Sequence, residues 1–321
     1  MRTHLLSSLA LVGLLSCDNG KSDKSSSDHI SKVAVTTPLE FMPGLISTEH
    51  AEFDLIFTQD NKTVYFTRRV GEEKQRIYSS TYADDGWSMP EIVSFSTDRD
   101  EYPNLTPDGK TLYFGSERPI PGRPNLGNFD TNVWKTTLVN GSWTTPVPLD
   151  STINKVQAEG ETWPLQNENH FNTADGETFY LCTMRRGEEG LDLYHTTLKN
   201  GSFSEPEKLP ATINGEDSWE YAPKLSPAGM YLFFQVYGRE DGLGGDDIFV
   251  SKKDTEGNWL PSKNLGPLVN SAGNETPFGM TSDGKFFFFG QLSPEEVARE
   301  GTGKIYFVST SSLNLENLFS Q

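Results

Sequence analysis

A carboxylate recurs at a near-constant distance from a recurring turn. Glu52, Glu220 and Glu275 each stand six residues before a Ser or Thr (Thr58, Ser226, Thr281), while Glu101 and Glu168 stand five before Thr106 and Thr173. Arginines follow at a second recurring place: Arg68 (with Arg69), Arg118, Arg185 (with Arg186) and Arg239, whereas Gly290-Gln291-Leu292 fills the fifth instance. Two chemistries suit this pattern. Carboxylates about 5–9.5 Å apart can share acid and base or nucleophile roles in glycoside hydrolysis. Carboxylates facing guanidinium groups can instead form ion pairs that a repeat copies, leaving Glu52 or Glu275 free where the fifth arginine is missing. Flat aromatics fall in the same segments, at Tyr102, Trp163, Trp219, Tyr221 and Tyr237. Aromatic faces beside carboxylates suit sugar rings, although the same residues also pack between structural units.

Metal chemistry has thinner support. His170 is the one histidine in such a segment, beside Glu168 and Asn169, and a transition-metal site needs several converging ligands. Asp241, Asp246 and Asp247 form an oxygen cluster of the kind calcium takes, but their spacing lacks the twelve-residue loop pattern. No cofactor is expected. The one cysteine beyond residue 17, Cys182, lies in the apolar run Phe179-Tyr180-Leu181-Cys182 and reads as a buried, inert thiol.

These residues are positioned by a repeat. The phrases Thr106-Pro107-Asp108-Gly109-Lys110-Thr111-Leu112-Tyr113-Phe114 and Thr281-Ser282-Asp283-Gly284-Lys285-Phe286-Phe287-Phe288-Phe289 have partners beginning at Thr58, Thr173 and Ser226. Each is a tight turn followed by a β-rich run, with Gly or Asn at the position that needs positive φ. A third strand follows in each unit (Arg76-Ile77-Tyr78, Asn132-Val133-Trp134, Asp192-Leu193-Tyr194, Asp247-Ile248-Phe249, Lys304-Ile305-Tyr306). A fourth begins at Gly86, Gly141, Gly201 and Gly257. The fifth unit has no fourth strand of its own. Pro38-Leu39-Glu40-Phe41 at the other end matches the fourth-strand phrase Pro206-Glu207-Lys208-Leu209. Letting it complete the last sheet closes a ring and hides the sheet edges. The expected fold is all-β: a five-bladed β-propeller of four-stranded blades over residues 36–321, with the carboxylates around the channel mouth.

The Ser/Thr-Pro-Asp-Gly-Lys-x-Leu-Tyr-Phe phrase, Gly242-Leu243-Gly244-Gly245-Asp246-Asp247, and the Ile213-Asn214 and Val269-Asn270-Ser271 joints together resemble the WD40-like propeller repeat of TolB-type bacterial proteins. The resemblance implies a propeller of the cell envelope. It does not imply one activity, since such folds serve scaffolding, binding and catalysis alike.

The first sixteen residues carry one early positive charge and the apolar run Leu5–Leu15, the shape of an export signal, and end at Leu14-Leu15-Ser16-Cys17. This is similar to the lipobox of bacterial lipoproteins, which implies cleavage before Cys17 and acylation of its thiol. Residues 17–35 are Ser-, Lys- and Asp-rich and read as a flexible tether. The formal net charge is −18, which repels phosphate backbones and argues against nucleic-acid binding. The reading is therefore a lipid-anchored, monomeric envelope protein that meets the membrane only through its lipid and binds a glycan or a protein on the channel face. The alternative is a carbohydrate-active enzyme using the channel-mouth carboxylates, and a third reading is a TolB-like envelope scaffold docking a peptide.

Overall fold

A computed structural model describes residues 27–84, 86–123, 130–161, 165–166, 168–298 and 303–320. Cys17 and Trp163 lie outside the described residues. Five antiparallel sheets form five blades around one axis. Their first three strands are Ala51–Phe57, Thr63–Arg69 and Arg76–Ala83; Asp100–Leu105, Thr111–Ser116 and Asn132–Val139; Phe171–Thr173, Thr178–Thr183 and Asp192–Lys199; Trp219–Leu225, Tyr231–Tyr237 and Asp246–Lys252; and Asn274–Met280, Phe286–Leu292 and Lys304–Ser309. The second strands are the most apolar, and Phe286–Phe289 are all fully buried.

The recurring turn explains itself. Thr106 Oγ1 donates to Asp108 Oδ1 (2.7 Å), which also accepts the Lys110 N–H (3.0 Å), and Gly109 takes φ +69°. Thr58–Asp60 and Thr281–Asp283 repeat the bond at 2.7 Å. These contacts hold the Asp60, Asp108 and Asp283 carboxyls below their usual range.

Outer strands are short and broken. Residues 86–87 and 91–92 both pair with the third strand of blade one, on either side of Pro90. Pro146 and Pro206 interrupt blades two and three in the same way, because proline has no N–H to offer the ladder. Beyond each break, a side chain takes over one edge of the third strand. Asn154 accepts from the Val133 N–H (2.7 Å) and donates to the Val133 carbonyl (2.9 Å). Asn214 does the same at Leu193 and Asn270 at Ile248, while Ser96 and Ser47 accept the N–H of Ile77 and Ile305.

The ring closes as expected. Leu39 pairs with Phe307 and Glu40 with Tyr306, so the N-terminal strand is the outer strand of blade five. Phe41 follows it into the core between blades five and one, where its ring meets Phe57, Phe288 and Phe307 edge-on at 5.1–6.0 Å. Part of the segment expected to be tether lies against the propeller. Ser27 is buried, Val35 is buried against Ser309, and Ile30 packs on the core of blades five and one. Among the described residues, no helix is long and apolar enough to cross a membrane.

The turns within the recurring phrase all lie on one end of the propeller, here called the turn face. The connections between blades and the loops between second and third strands lie on the other, the channel face. The inner strand of four blades carries a bulge. Asp54, Tyr102 and Ala222 sit at these bulges with φ near +50°, a conformation that costs a side-chain-bearing residue energy and turns neighbouring side chains toward the axis.

Candidate functional site

The carboxylates form a buried collar on the channel face, and each is engaged. Glu52 accepts from Arg68 Nε (2.8 Å), from the Thr48 N–H (3.1 Å) and from Thr48 Oγ1 (2.7 Å). Arg68 also donates to the Leu45 and Ile46 carbonyls, so acid and base together hold the connection arriving from blade five. In blade three, Arg185 binds Glu168 at 2.5 Å. Blade four uses no arginine at this place. Glu220 accepts from the Gly215 N–H (3.1 Å) and Ser218 Oγ, while Arg239 turns to Asp241 (2.9 Å) and Ser262 (2.7 Å). Blade five likewise ties Glu275 to Ser271 (N–H 3.0 Å, Oγ 2.5 Å), with Gln291 donating at 3.1 Å where the arginine is missing.

Blade two departs from the expected residue. Arg118 binds Asp100 (2.7 Å), which also accepts from Ser96 Oγ (2.9 Å) and the Thr97 N–H (3.0 Å). Asp100 thus does what Glu52 does in blade one, and it is Asp100 that stands six residues before Thr106. Glu101 lies one step further in and pairs with Arg99 (3.1 Å), which also holds Glu117 (2.6 Å). The register explains the displacement: Asp100 pairs with Ser116, the counterpart of the Glu52–Arg68 rung, and the bulge begins directly after Glu101.

Burial pushes the Asp100, Glu101, Glu168, Glu220 and Glu275 carboxyls up. Glu275 is raised, and Glu220 reaches about 7, because water is excluded more strongly than the serine and backbone donors compensate. The sign follows from linkage. A carboxyl raised in the folded state above its ordinary 4.5 holds its proton more tightly folded than unfolded, so its ionisation costs stability as pH rises from 4.5 toward 7. Glu220→Gln is therefore expected to gain on the wild type between pH 5 and pH 7, by at most ~1.4 kcal/mol per pH unit. Denaturant unfolding of both proteins across that range checks it; parallel pH profiles would contradict it.

Inside the collar the axis is crossed by an ion pair. Lys224 Nζ of blade four lies 2.6 Å from Asp54 Oδ2 of blade one, and both residues are almost wholly buried. Beside it, the half-buried Tyr102 and His170 rings overlap at 3.8 Å. His170 Nδ1 lies 2.8 Å from Asn169 Oδ1 and 3.6 Å from Cys182 Sγ. Burial holds His170 down to about 3, assisted by the Lys224 charge, and pushes the Cys182 thiol up to about 12. Both are thus neutral at physiological pH, which suits packing and not nucleophilic chemistry.

Above this floor, blade four presents a polar-aromatic patch. Trp219 pairs across the strands with Tyr237, Tyr237 with Asp246, and Tyr221 with Gln235, so these side chains share one face of the sheet. Trp219 and Tyr237 meet edge-on at 6.5 Å and are 40% and 56% exposed. Trp219 lies over Gly190 of blade three, where a side chain would collide with the indole at 2.8 Å. Below them Tyr221, Gln235 and Asp246 lie on the same sheet face, and burial raises the Asp246 carboxyl.

The structure thus brings together Trp219, Tyr221 and Tyr237, and separately Tyr102 and His170. Arg68, Arg118 and Arg185 pair with Glu52, Asp100 and Glu168, whereas Arg239 binds Asp241 of its own loop and Ser262. Two of the three aspartates weighed for calcium have separate partners: Asp241 binds Arg239, and Asp247 accepts from Asn264 (3.0 Å) and the Leu243 N–H. Among the described residues, no group of three or more His, Cys, Asp or Glu is placed to hold a metal ion. Sequence reasoning missed Gln235 and the Asp54–Lys224 pair. A single acid within Phe53-Asp54-Leu55-Ile56 was the available signal.

No family model matches the sequence, and no curated protein is similar to it. Solved structures are similar in fold. A BT0996 RGII complex aligns with a TM-score of 0.56 at 8% identity, over 87% of this protein and 92% of that one. A glycoside hydrolase aligns with a TM-score of 0.56 at 9% identity over the same shares. TolB from Acinetobacter baumannii aligns with a TM-score of 0.45 at 16% identity, over 81% of this protein, which spans only 55% of TolB. Identities this low show the shared fold alone.

Proposed function

We propose that this protein is a lipid-anchored propeller of the bacterial cell envelope that binds a glycan on its channel face, with Cys17 as the attachment residue. One observation carries the binding reading. Trp219 and Tyr237 stand exposed on the sheet face that also carries Tyr221, Gln235 and Asp246, and the collar makes no structural use of them. An apolar ring face next to fixed donors and acceptors matches a sugar, which offers C–H on its faces and hydroxyls at its edges. A solved protein of this fold is a glycoside hydrolase, so the scaffold is compatible with sugar as a ligand.

The collar does not favour the hydrolytic alternative, because each of its carboxylates already has an ion-pair or hydrogen-bond partner. Glycan-array screening followed by calorimetry on the best binder tests the proposal. Trp219→Ala and Tyr237→Ala are each expected to weaken binding about tenfold, which corresponds to about 1.4 kcal/mol. Because Tyr237 is more than half exposed, its substitution should leave the melting temperature nearly unchanged, whereas Trp219→Ala also gives up the packing over Gly190. No specific glycan, or affinities indifferent to both substitutions, would remove the reading. A specific peptide ligand on the same patch would replace it with the protein-partner alternative.

A further inference from the structure

The turn face holds a cavity of about 1190 Å³, and the site described above makes no use of it. Its walls differ in character. Thr58, Gln59, Asp60 and Thr63 of blade one form a polar side. Pro227, Ala228 and Met230 of blade four, with Met280 and Leu315, form an apolar one. The charged residues of the lining, Asp60 and Asp283, are both acidic.

Blade four makes the apolar side by departing from the repeat. The other turns read Asp60-Asn61-Lys62, Asp108-Gly109-Lys110, Asp175-Gly176-Glu177 and Asp283-Gly284-Lys285, against Ala228-Gly229-Met230 here. Each of those aspartates accepts the N–H two residues on, at 2.8–3.1 Å. Ala228 has no acceptor to offer, so blade four forgoes that bond. Met230 then stands 40% exposed where every other blade has a charge. Turn stability does not account for either change, whereas an apolar contact surface uses both.

We propose that this cavity docks a segment of a partner protein in which a lysine or arginine adjoins a large apolar side chain. Met230 and Met280 can adapt to the apolar side chain. Asp60 receives the cation. Its Oδ1 is taken by the Thr58 hydroxyl and the Lys62 N–H, while Oδ2 has no partner among the described residues. Burial would raise the Asp60 carboxyl, but those bonds and the Lys62 charge outweigh it and hold it ionised. Asp283 is already engaged: its Oδ2 accepts from the Ser27 N–H (2.9 Å) and Oγ (2.8 Å), and Lys285 beside it pairs with Asp28. The cavity exceeds the roughly 300–1,000 Å³ usual for small molecules, which favours a length of chain. A net charge of −18 steers a basic partner inward. The same charge repels an anionic bilayer and a second copy of this protein. The site lies on the opposite face from the glycan patch and depends on neither that reading nor the lipid anchor.

The test measures binding of the purified protein to an array of short peptides that join Lys or Arg to Leu, Phe or Trp, beside counterparts with Glu in place of the base. The basic peptides are expected to bind preferentially and to weaken with added salt. Asp60→Asn, which keeps the Oδ1 acceptor of the turn, and Met230→Gln are each expected to weaken the best peptide about tenfold. Met89→Gln, at an exposed site on the outer edge of blade one, should change nothing. No preference for the basic peptides overturns the proposal, and so does a preference indifferent to both substitutions. Binding to phosphatidylglycerol vesicles that Met230→Gln abolishes assigns the face to a membrane instead. Self-association abolished by the same substitution assigns it to a second copy. Either result also overturns the proposal.

Discussion

Phe41→Ala is expected to lower the melting temperature by roughly 10 °C, and deletion of residues 1–48 to abolish cooperative unfolding altogether. Phe41 is fully buried and touches aromatic rings of both blade one and blade five. Removing a buried phenylalanine costs about 3–5 kcal/mol through lost transfer energy and the cavity left behind. In a protein of this size each kcal/mol moves the midpoint by about 2–4 °C. The deletion goes further, because it also strips the outer strand from Lys304–Ser309 and the Ser47 tie at Ile305. The sheet edge so exposed is a template for association. Thermal unfolding followed by circular dichroism, with the exposed Val33→Ala as control, checks both. A truncated protein that melts like the wild type would show that the ring does not depend on its closure.

The second large effect concerns the ion pair across the axis. Lys224→Met alone or Asp54→Leu alone leaves one buried charge without its partner, and each is expected to cost about 3–5 kcal/mol. The double variant is expected to recover most of that loss, because apolar groups of similar volume need no counter-charge. Denaturant unfolding of the four proteins gives the interaction energy directly. Burial raises the Asp54 carboxyl to about 6, with Lys224 pulling it back, so Asp54 is ionised at pH 8 and protonated well below 6. The coupling measured at pH 8 should therefore fade as pH falls through about 6. Single variants as stable as the wild type at pH 8 would mean that water reaches the pair and screens it.

The collar illustrates how far spacing can be trusted. The six-residue offset points to a real structural place, and in blades one, four and five it leads to Glu52, Glu220 and Glu275. In blade two the more conspicuous Glu101 stands one position inside that place, and Asp100 takes the connection. Residue type alone could not choose between neighbouring acids; the rung opposite Ser116 does. The arginine at the second place reaches its acid in blades one to three, but Arg239 has a closer acid in its own loop, two residues on.

Sequence by itself determined the five blades and their closure, because both are written in local terms. Each turn phrase satisfies its own hydrogen bonds within five residues, and strand alternation decides which side chains are buried. The N-terminal strand could be matched to blade five because the outer-strand pattern is missing from one end and present at the other. Only the tertiary structure decided which side chains meet over the axis. Asp54 and Lys224 are 170 positions apart, and Tyr102 reaches His170 from a different blade. The inner-strand bulges set those meetings, by turning the backbone at single residues. Such a local rotation leaves the repeat pattern unchanged while re-aiming the side chains that surround the channel.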